Sequence, residues 1–237
     1  MLNLYDKISE HKKLKLPHPE KIIEITIGDF KIFTSGQLDG YGYKHVQDIA
    51  GAFQSMTNGK KFNNAMEWCC GPGYIGFTLL FIGMIKKCTF SDIHEPISKV
   101  INKTIETNNL SNKSKFICSD NFKNISEQKF DLIVGNPPHF NFTVDKMKQL
   151  EENPYWEIYN EDRKFCDLDW KIHKDFFANV NKYLEDDGDI LLMENVKGSS
   201  LKDFTSMIHK NKLKVVQSFK SHHWQDDIWY IHIRKDL

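Results

Sequence analysis

The segment Asp131-Leu132-Ile133-Val134-Gly135-Asn136-Pro137-Pro138-His139-Phe140 constrains this chain most. An apolar run ends abruptly in Asn-Pro-Pro-His. Proline has no N–H to offer a sheet ladder, so a strand must stop there. Two successive prolines stiffen the turn and leave carbonyl oxygens without local donors. The Asn136 side chain and the Pro137 carbonyl can then aim at one spot and accept two hydrogens from an incoming amino group. His139 or Phe140 adds a flat surface beside it. An ordinary strand-ending turn has the same composition, so the argument needs a second motif.

That motif is Glu67-Trp68-Cys69-Cys70-Gly71-Pro72-Gly73-Tyr74-Ile75-Gly76. A strand is expected before it, from about Asn64 to Trp68, and a helix after it, from about Tyr74 to Lys86. Gly71, Gly73 and Gly76 match G-x-G-x-x-G, in which glycine permits unusual turn angles and close approach of a ligand to the backbone. The N–H groups of the following helix then face that ligand. Asp92 stands 19 residues after Gly73, behind the strand-like run Cys88-Thr89-Phe90-Ser91. An acid there can hold ribose hydroxyls. This half of the chain is therefore expected to bind a nucleoside-containing cofactor, either a dinucleotide or S-adenosylmethionine.

From Phe62 onward, strands alternate with helices. Pro96 suits a first helical turn, and Ile97, Val100, Ile101, Thr104 and Ile105 form one helix face. Strands are expected at Lys115–Ser119, Phe130–Val134 and Ile190–Met193, and helices at Trp170–Leu184 and Phe204–His209. Lys214–Phe219 and Ile228–Ile233 read as a closing antiparallel pair. Alternation of this kind predicts an α/β fold: a Rossmann-like, doubly wound, mostly parallel seven-stranded sheet with a C-terminal antiparallel hairpin. Ligands bind at the carboxyl ends of such strands, where Glu67, Asp92, Asp120 and Asn136 all fall.

Two segments stand outside that rhythm. Residues 1–62 form an N-terminal extension with two short strands in Ile22–Phe33, a helix over Lys44–Met56, and between them a loop rich in glycine and tyrosine that includes Tyr41. The loop could close over cofactor or substrate, or serve as a connector. Residues 63–237 form the main domain. Its segment 141–169 is acidic, carries Tyr155, Trp156 and Tyr159, and follows the Asn-Pro-Pro turn. Loops in that position often bind substrate.

Composition limits the alternatives. The chain has 237 residues, 40% of them hydrophobic, which suits one sizeable domain. Lysine plus arginine and aspartate plus glutamate balance at 32 each, so no global basic field attracts nucleic acid. The apolar run Ile75–Ile85 is too short to span a bilayer, and the N-terminus lacks a signal-peptide pattern. The five cysteines show neither zinc spacing nor a disulfide framework; free thiols in a reducing cytoplasm are expected. His94-Glu95, His173 and His222-His223 lack a third ligand at metal spacing, so no metal site is expected. Glu194-Asn195 ends a strand near the site and suits either a pocket wall or a turn. Trp224 and Trp229 flank the last strand and suit packing.

Taken together, the two motifs resemble those of class I S-adenosylmethionine-dependent methyltransferases, and more narrowly the amino-methyltransferases with an Asn-Pro-Pro-aromatic motif. That group includes release-factor glutamine methyltransferases and enzymes acting on adenine N6 or guanine N2. The resemblance covers about Asn64 to Glu194. It implies that Glu67 and Gly71-Pro72-Gly73, preceded by Cys69, hold the methionine part of the cofactor and that Asp92 binds the ribose. Asp120, with Asn121 or Phe122, would sit at the adenine. Asn136 and the Pro137 carbonyl would bind the target nitrogen and His139 would stack on its planar group. Phe140, Tyr41 and Trp156 are further substrate-side candidates. The chain departs from the group at Cys69, where glycine is frequent, and at His139, where tyrosine or phenylalanine is usual.

The expected activity is therefore methyl transfer from S-adenosylmethionine to a planar amino or amide nitrogen of a small molecule or protein. Three alternatives remain open: an RNA or DNA base methyltransferase, an NAD-dependent dehydrogenase, and a non-catalytic cofactor-binding module. The dehydrogenase reading explains the glycines and Asp92 but not Asn-Pro-Pro-His.

Overall fold

The structure is a computed structural model that describes residues 21–35, 38, 46–142, 166–221 and 228–237. Tyr41, Trp156, His222, His223, Trp224 and nearly all of the 141–169 segment lie outside the described residues.

A hairpin of β1 (Ile23–Ile27) and β2 (Phe30–Thr34) opens the described chain, followed by α1 (Val46–Met56). Gly28 takes φ 63° in the hairpin turn, a value open to glycine at no steric cost. The main sheet draws on β3 (Ala65–Trp68), β4 (Cys88–Asp92), β5 (Ser114–Cys118), β6 (Phe130–Gly135), β9 (Leu184–Asn195), β10 (Leu213–Lys220) and β11 (Ile228–Lys235). Its order is β10-β11-β9-β6-β3-β4-β5. β3 lies parallel to β4 and β6, β4 to β5, and β6 to β9. The closing hairpin does pair antiparallel, but β11 also inserts between β10 and β9 and runs antiparallel to both. The helices are α2 (Tyr74–Phe81), α3 (Ser98–Thr107), α4 (Lys171–Asn179) and α5 (Leu201–Lys210).

Side chains alternate across the sheet into two cores. One holds Phe53, Phe77, Phe90, Val134 and Tyr230, and the other holds Trp68, Ile133, Phe176, Phe204 and Trp229. Strands covered on both faces need apolar residues at every position, which is why Leu132-Ile133-Val134 is continuous. Trp229 packs as expected, stacked at 6.3 Å on Phe204. The N-terminal elements share the first core through Ile32, Ile49, Phe53 and Met56. The hairpin is also tied to α3, because Thr104 Oγ1 accepts the Phe33 N–H at 3.0 Å and Asn108 bonds both ways with the Lys31 backbone.

Four expected boundaries move. The helix expected over Tyr74–Lys86 ends at Phe81, because Gly83 turns left-handed at φ 66° and the chain then bridges Phe62 to Ile85. The helix expected to reach Leu184 ends at Asn179 and passes into a 3-10 turn, Val180–Lys182. β9 starts at Leu184 rather than Ile190; its pairing with β6 is irregular there, so Glu185, Asp186 and Asp187 stay exposed within the strand. α5 begins earlier than expected, at Leu201, because Asp203 Oδ2 accepts the Ser200 N–H at 2.8 Å and closes the first turn.

Two short strands were not foreseen. β7 (Phe140–Phe142) follows the Asn-Pro-Pro-His turn and β8 (Cys166–Leu168) ends the acidic segment. They pair parallel, with Asn141 opposite Asp167. The two ends of that segment are therefore pinned beside the site.

Candidate active site

The glycine turn lies between β3 and α2. Gly71 and Gly73 take φ 47° and 81°. Among the described residues, a Cβ on Gly71 would meet only the Leu38 carbonyl, at 3.8 Å, so they leave the turn's outer side open. Asp92, at the end of β4, anchors it: Oδ2 accepts the Gly71 N–H and Oδ1 the His94 N–H, each at 2.9 Å. Burial raises this carboxyl above its usual range.

Cys69 stands at φ 50°, the left-handed conformation that glycine adopts freely. The turn thus keeps a glycine-like backbone without the glycine, with the strain carried at Cys69. Cys69→Gly is expected to leave stability unchanged or raise it by up to about 1 kcal/mol. Urea midpoints check this, since glycine at an ordinary position lowers them.

Glu67 is not directed at the open turn. Its carboxyl oxygens accept the N–H groups of Ile75, at 3.2 Å, and Gly76, at 2.7 Å. Burial pushes the carboxyl up to about 8 against these two bonds. It fixes the first turn of α2, and a Cβ at Gly76 would stand 2.7 Å from Oε2. The third glycine therefore serves close helix–strand packing. Glu67 thus shapes the loop that is expected to hold the methionine part.

On the other side, Asp120 remains exposed and pairs with Lys123. Its expected companions are committed elsewhere. Asn121 Oδ1 accepts the Trp68 indole N–H at 2.7 Å, and its amide donates to Asp175 at 2.7 Å. Phe122 stacks on Tyr183 at 4.4 Å within the second core. Both side chains pack between β3 and α4.

At the end of β6, Pro137 and Pro138 are buried. Asn136 Oδ1 is buried and, among the described residues, has no hydrogen-bond partner. Such an orphaned acceptor costs about 1–3 kcal/mol and asks for an explanation, one being a ligand that donates to it. Phe140 was a substrate-side candidate, but it is fully buried at 0% exposure where β7 begins. It supports the turn from behind.

His139 has a partner that the sequence did not reveal. Its Nδ1 lies 3.1 Å from Glu194 Oε2, at the end of β9. Ser199 Oγ donates to that same oxygen at 2.9 Å. Glu194 Oε1 meets His173 Nε2 at 3.0 Å, and His173 Nδ1 meets Asp167 Oδ2 at 2.6 Å. Asp167 also accepts the Ile172 and His173 N–H groups and so caps α4. Glu194, His173 and Asp167 are fully buried. Burial alone would lower the His173 imidazole, but Glu194 and Asp167 outweigh it and hold the group at about 9. Burial would likewise raise Glu194, yet His173 and His139 bring it to about 2. His173 is thus a cation between two carboxylates, and it stacks on Phe204 at 4.6 Å. Glu194-Asn195 at a strand end was the one sequence signal pointing here. His173 and Asp167 gave none, since only the topology of β8 and α4 brings them to Glu194.

The turn after β9 presses on the same motif. A Cβ on Gly198 would stand 2.4 Å from the His139 carbonyl oxygen and 2.9 Å from Phe140 Cδ1. The nearest atom is backbone and cannot swing aside. Gly198→Ala is therefore expected to displace the Asn-Pro-Pro-His turn, costing about 1–3 kcal/mol and reducing turnover more than cofactor affinity. Urea unfolding and calorimetric cofactor titration separate the two effects.

Comparison with known proteins agrees with this geometry. Residues 42–153 match the methyltransferase small domain family. The chain is 31% identical over 135 residues to the ribosomal protein uL3 glutamine methyltransferase of Francisella tularensis, covering 55% of this chain and 40% of that protein. It is 35% identical over 107 residues to the ribosomal RNA small subunit methyltransferase C of Actinobacillus pleuropneumoniae, covering 45% and 30%. The chain thus matches well under half the length of these relatives. An S-adenosylmethionine-dependent methyltransferase structure from Clostridium acetobutylicum superposes over 98% of this chain and 99% of that one, with TM-score 0.57 and 12% identity. Fold, motif order and matches place the chain among the class I S-adenosylmethionine-dependent methyltransferases. Its Asn-Pro-Pro-His turn resembles the motif of the Asn-Pro-Pro-aromatic, release-factor type within that class. Among the described residues, no helix is long and apolar enough to cross a membrane.

The residues present suit the cofactor of this class. Asp92 closes an open glycine turn, and Asp120 offers a second exposed carboxylate.

Proposed function

We propose that the chain transfers a methyl group from S-adenosylmethionine to a planar amide nitrogen of a protein side chain. The observation that carries this reading is the buried, partnerless Asn136 Oδ1 beside the rigid Pro137 carbonyl. An amide nitrogen is a poor nucleophile because its lone pair is conjugated. Accepting both of its hydrogens, at Asn136 and Pro137, favours a more tetrahedral nitrogen and stabilises the positive charge that grows during attack. Gly71, Gly73, Asp92 and Asp120 would hold the cofactor, which supplies an electrophilic methyl group when bound. The protein's remaining task is to align nitrogen, carbon and sulfur.

Two observations favour protein over nucleic acid: the balanced charge and the excess of acids in the 141–169 segment. The relative acting on uL3 glutamine supports the same choice. The relative named for ribosomal RNA keeps a base nitrogen as the second reading. Labelled methyl transfer into ribosomes, afterwards separated into protein and RNA, tests both. Label in protein supports the first reading, label in RNA the second, and label in neither opposes both.

A further inference from the structure

An amino or amide nitrogen must lose a proton when it gains a methyl group, and Asn136 and Pro137 offer only acceptors that are already engaged with its hydrogens. Building on the proposed N-methyl transfer, we propose that His139 Nε2 takes that proton and that Glu194 is the positioning residue that makes Nε2 able to do so. Glu194 is a carboxylate across the working range, being held at about 2. Both its oxygens are engaged: Oε1 with His173, Oε2 with Ser199 and with His139 Nδ1. A carboxylate can only accept, so the His139 nitrogen beside it must carry the hydrogen. Neutral His139 then has a bare Nε2. No partner occupies Nε2 among the described residues, and the side chain keeps 10% of its surface open.

The ring is thereby fixed in tautomer and in direction. His139 is two residues beyond Pro137 on a turn stiffened by proline and backed by Gly198, so it cannot stray far from the acceptor pair. The step balances simply. The nitrogen lone pair forms the bond to the methyl carbon, the carbon–sulfur bond breaks, and sulfur keeps that electron pair. The N–H bond then breaks, its electrons return to nitrogen, and the proton passes to His139 Nε2. The imidazolium so formed faces a carboxylate until it releases the proton to water. A third group thus orients the base, as in other histidine-dependent enzymes.

Glu194→Gln is the decisive variant. His173 remains cationic beside Asp167 and needs an acceptor, so the glutamine carbonyl turns to it and the amide NH2 faces His139. His139 Nδ1 must then accept, which moves the ring hydrogen to Nε2. Nitrogen NMR of histidine-labelled protein, without substrate and with His139→Phe to assign the signal, reads this directly. The expected result is an Nδ1–H ring in the wild type and an Nε2–H ring in Glu194→Gln. An Nε2–H ring in the wild type overturns the proposal.

Single-turnover methyl transfer into the ribosomal protein fraction supplies the second arm. His139→Phe keeps a flat ring but no base, and is expected to lose about 100-fold in rate, as is Glu194→Gln, with cofactor affinity kept. A His139→Phe rate within threefold of wild type would mean that His139 only stacks, and would sink the idea. Absence of transfer by the wild-type protein refutes the acceptor reading instead, and the tautomer result stands apart from it.

Discussion

Asn136→Ala is expected to lower methyl transfer by about 100- to 1,000-fold while cofactor affinity stays within roughly twofold, as expected for a group acting on the transition state alone. Two features make this prediction sharp. Asn136 Oδ1 has no partner among the described residues, so its removal breaks no hydrogen bond described in the fold. An unsatisfied buried acceptor is itself unfavourable, so the variant should be as stable as the wild type or slightly more stable. Function-bearing residues often show this opposition between stability and activity. The loss should appear in the single-turnover rate, since the missing interaction strengthens as charge develops on the nitrogen. Three measurements decide it: labelled methyl transfer, calorimetric titration with S-adenosylmethionine, and urea unfolding. Parallel loss of cofactor binding would assign Asn136 to the fold or the cofactor, and a rate within fivefold of wild type would remove it from the chemistry.

The sheet and the glycine turn were legible because each rests on local chemistry. An apolar run closed by two prolines can only be a strand end, and the glycines before Tyr74 can only be a turn leading into a helix. The strand order was partly legible: alternation implied a parallel sheet, but nothing local said that β11 would insert between β9 and β10. Helix ends were read too late wherever an apolar face continued into the next element, as at Phe81 and Asn179. Site residues divide along the same line. Asp92 sits where the spacing placed it. Glu67 occupies its expected strand end and Asn121 and Phe122 the turn after β5, but their side chains turn inward to helix N–H groups, an indole and aromatic rings. A residue's position along a strand end can be read from sequence, whereas the direction of its side chain depends on what the fold packs behind it. The array Asp167–His173–Glu194–His139 lies wholly in that second category, joining β8, α4, β9 and the turn after β6 across more than fifty residues of chain.

Stability should fall as pH rises from about 6.5 to 9, and the fall should be clearly shallower in His173→Gln, where only the part due to Glu67 remains. His173 is raised from 6.5 to about 9 by its carboxylate partners against the opposing effect of burial. A group held above its unfolded value contributes stability that is complete below the unfolded value and is lost as pH climbs through the folded one. The shift corresponds to about 3 kcal/mol, an order-of-magnitude figure. Glu67, raised by burial from 4.5 to about 8, works in the same direction. The acid side has the opposite cause. Glu194 and Asp189 are lowered to about 2, the first by His173 and His139 and the second by His232, Arg234 and Lys60, in both cases against burial. Their contributions are present above the unfolded carboxylate values and lost as pH drops toward 2. Maximum stability is therefore expected at mildly acidic pH. Measurements should stop at pH 9, because burial holds Cys69, Cys70 and Cys88 above the usual thiol range and unfolding would then release their protons as well. In His173→Gln, two buried carboxylates lose their cation, so the variant should be less stable than wild type by about 3–5 kcal/mol at pH 6. The gap should narrow toward pH 9, where wild-type His173 gives up its own proton. A wild-type urea midpoint that stays flat from pH 6.5 to 9 would show that His173 is neutral in the folded protein and that the charge pattern around Glu194 is not the one described.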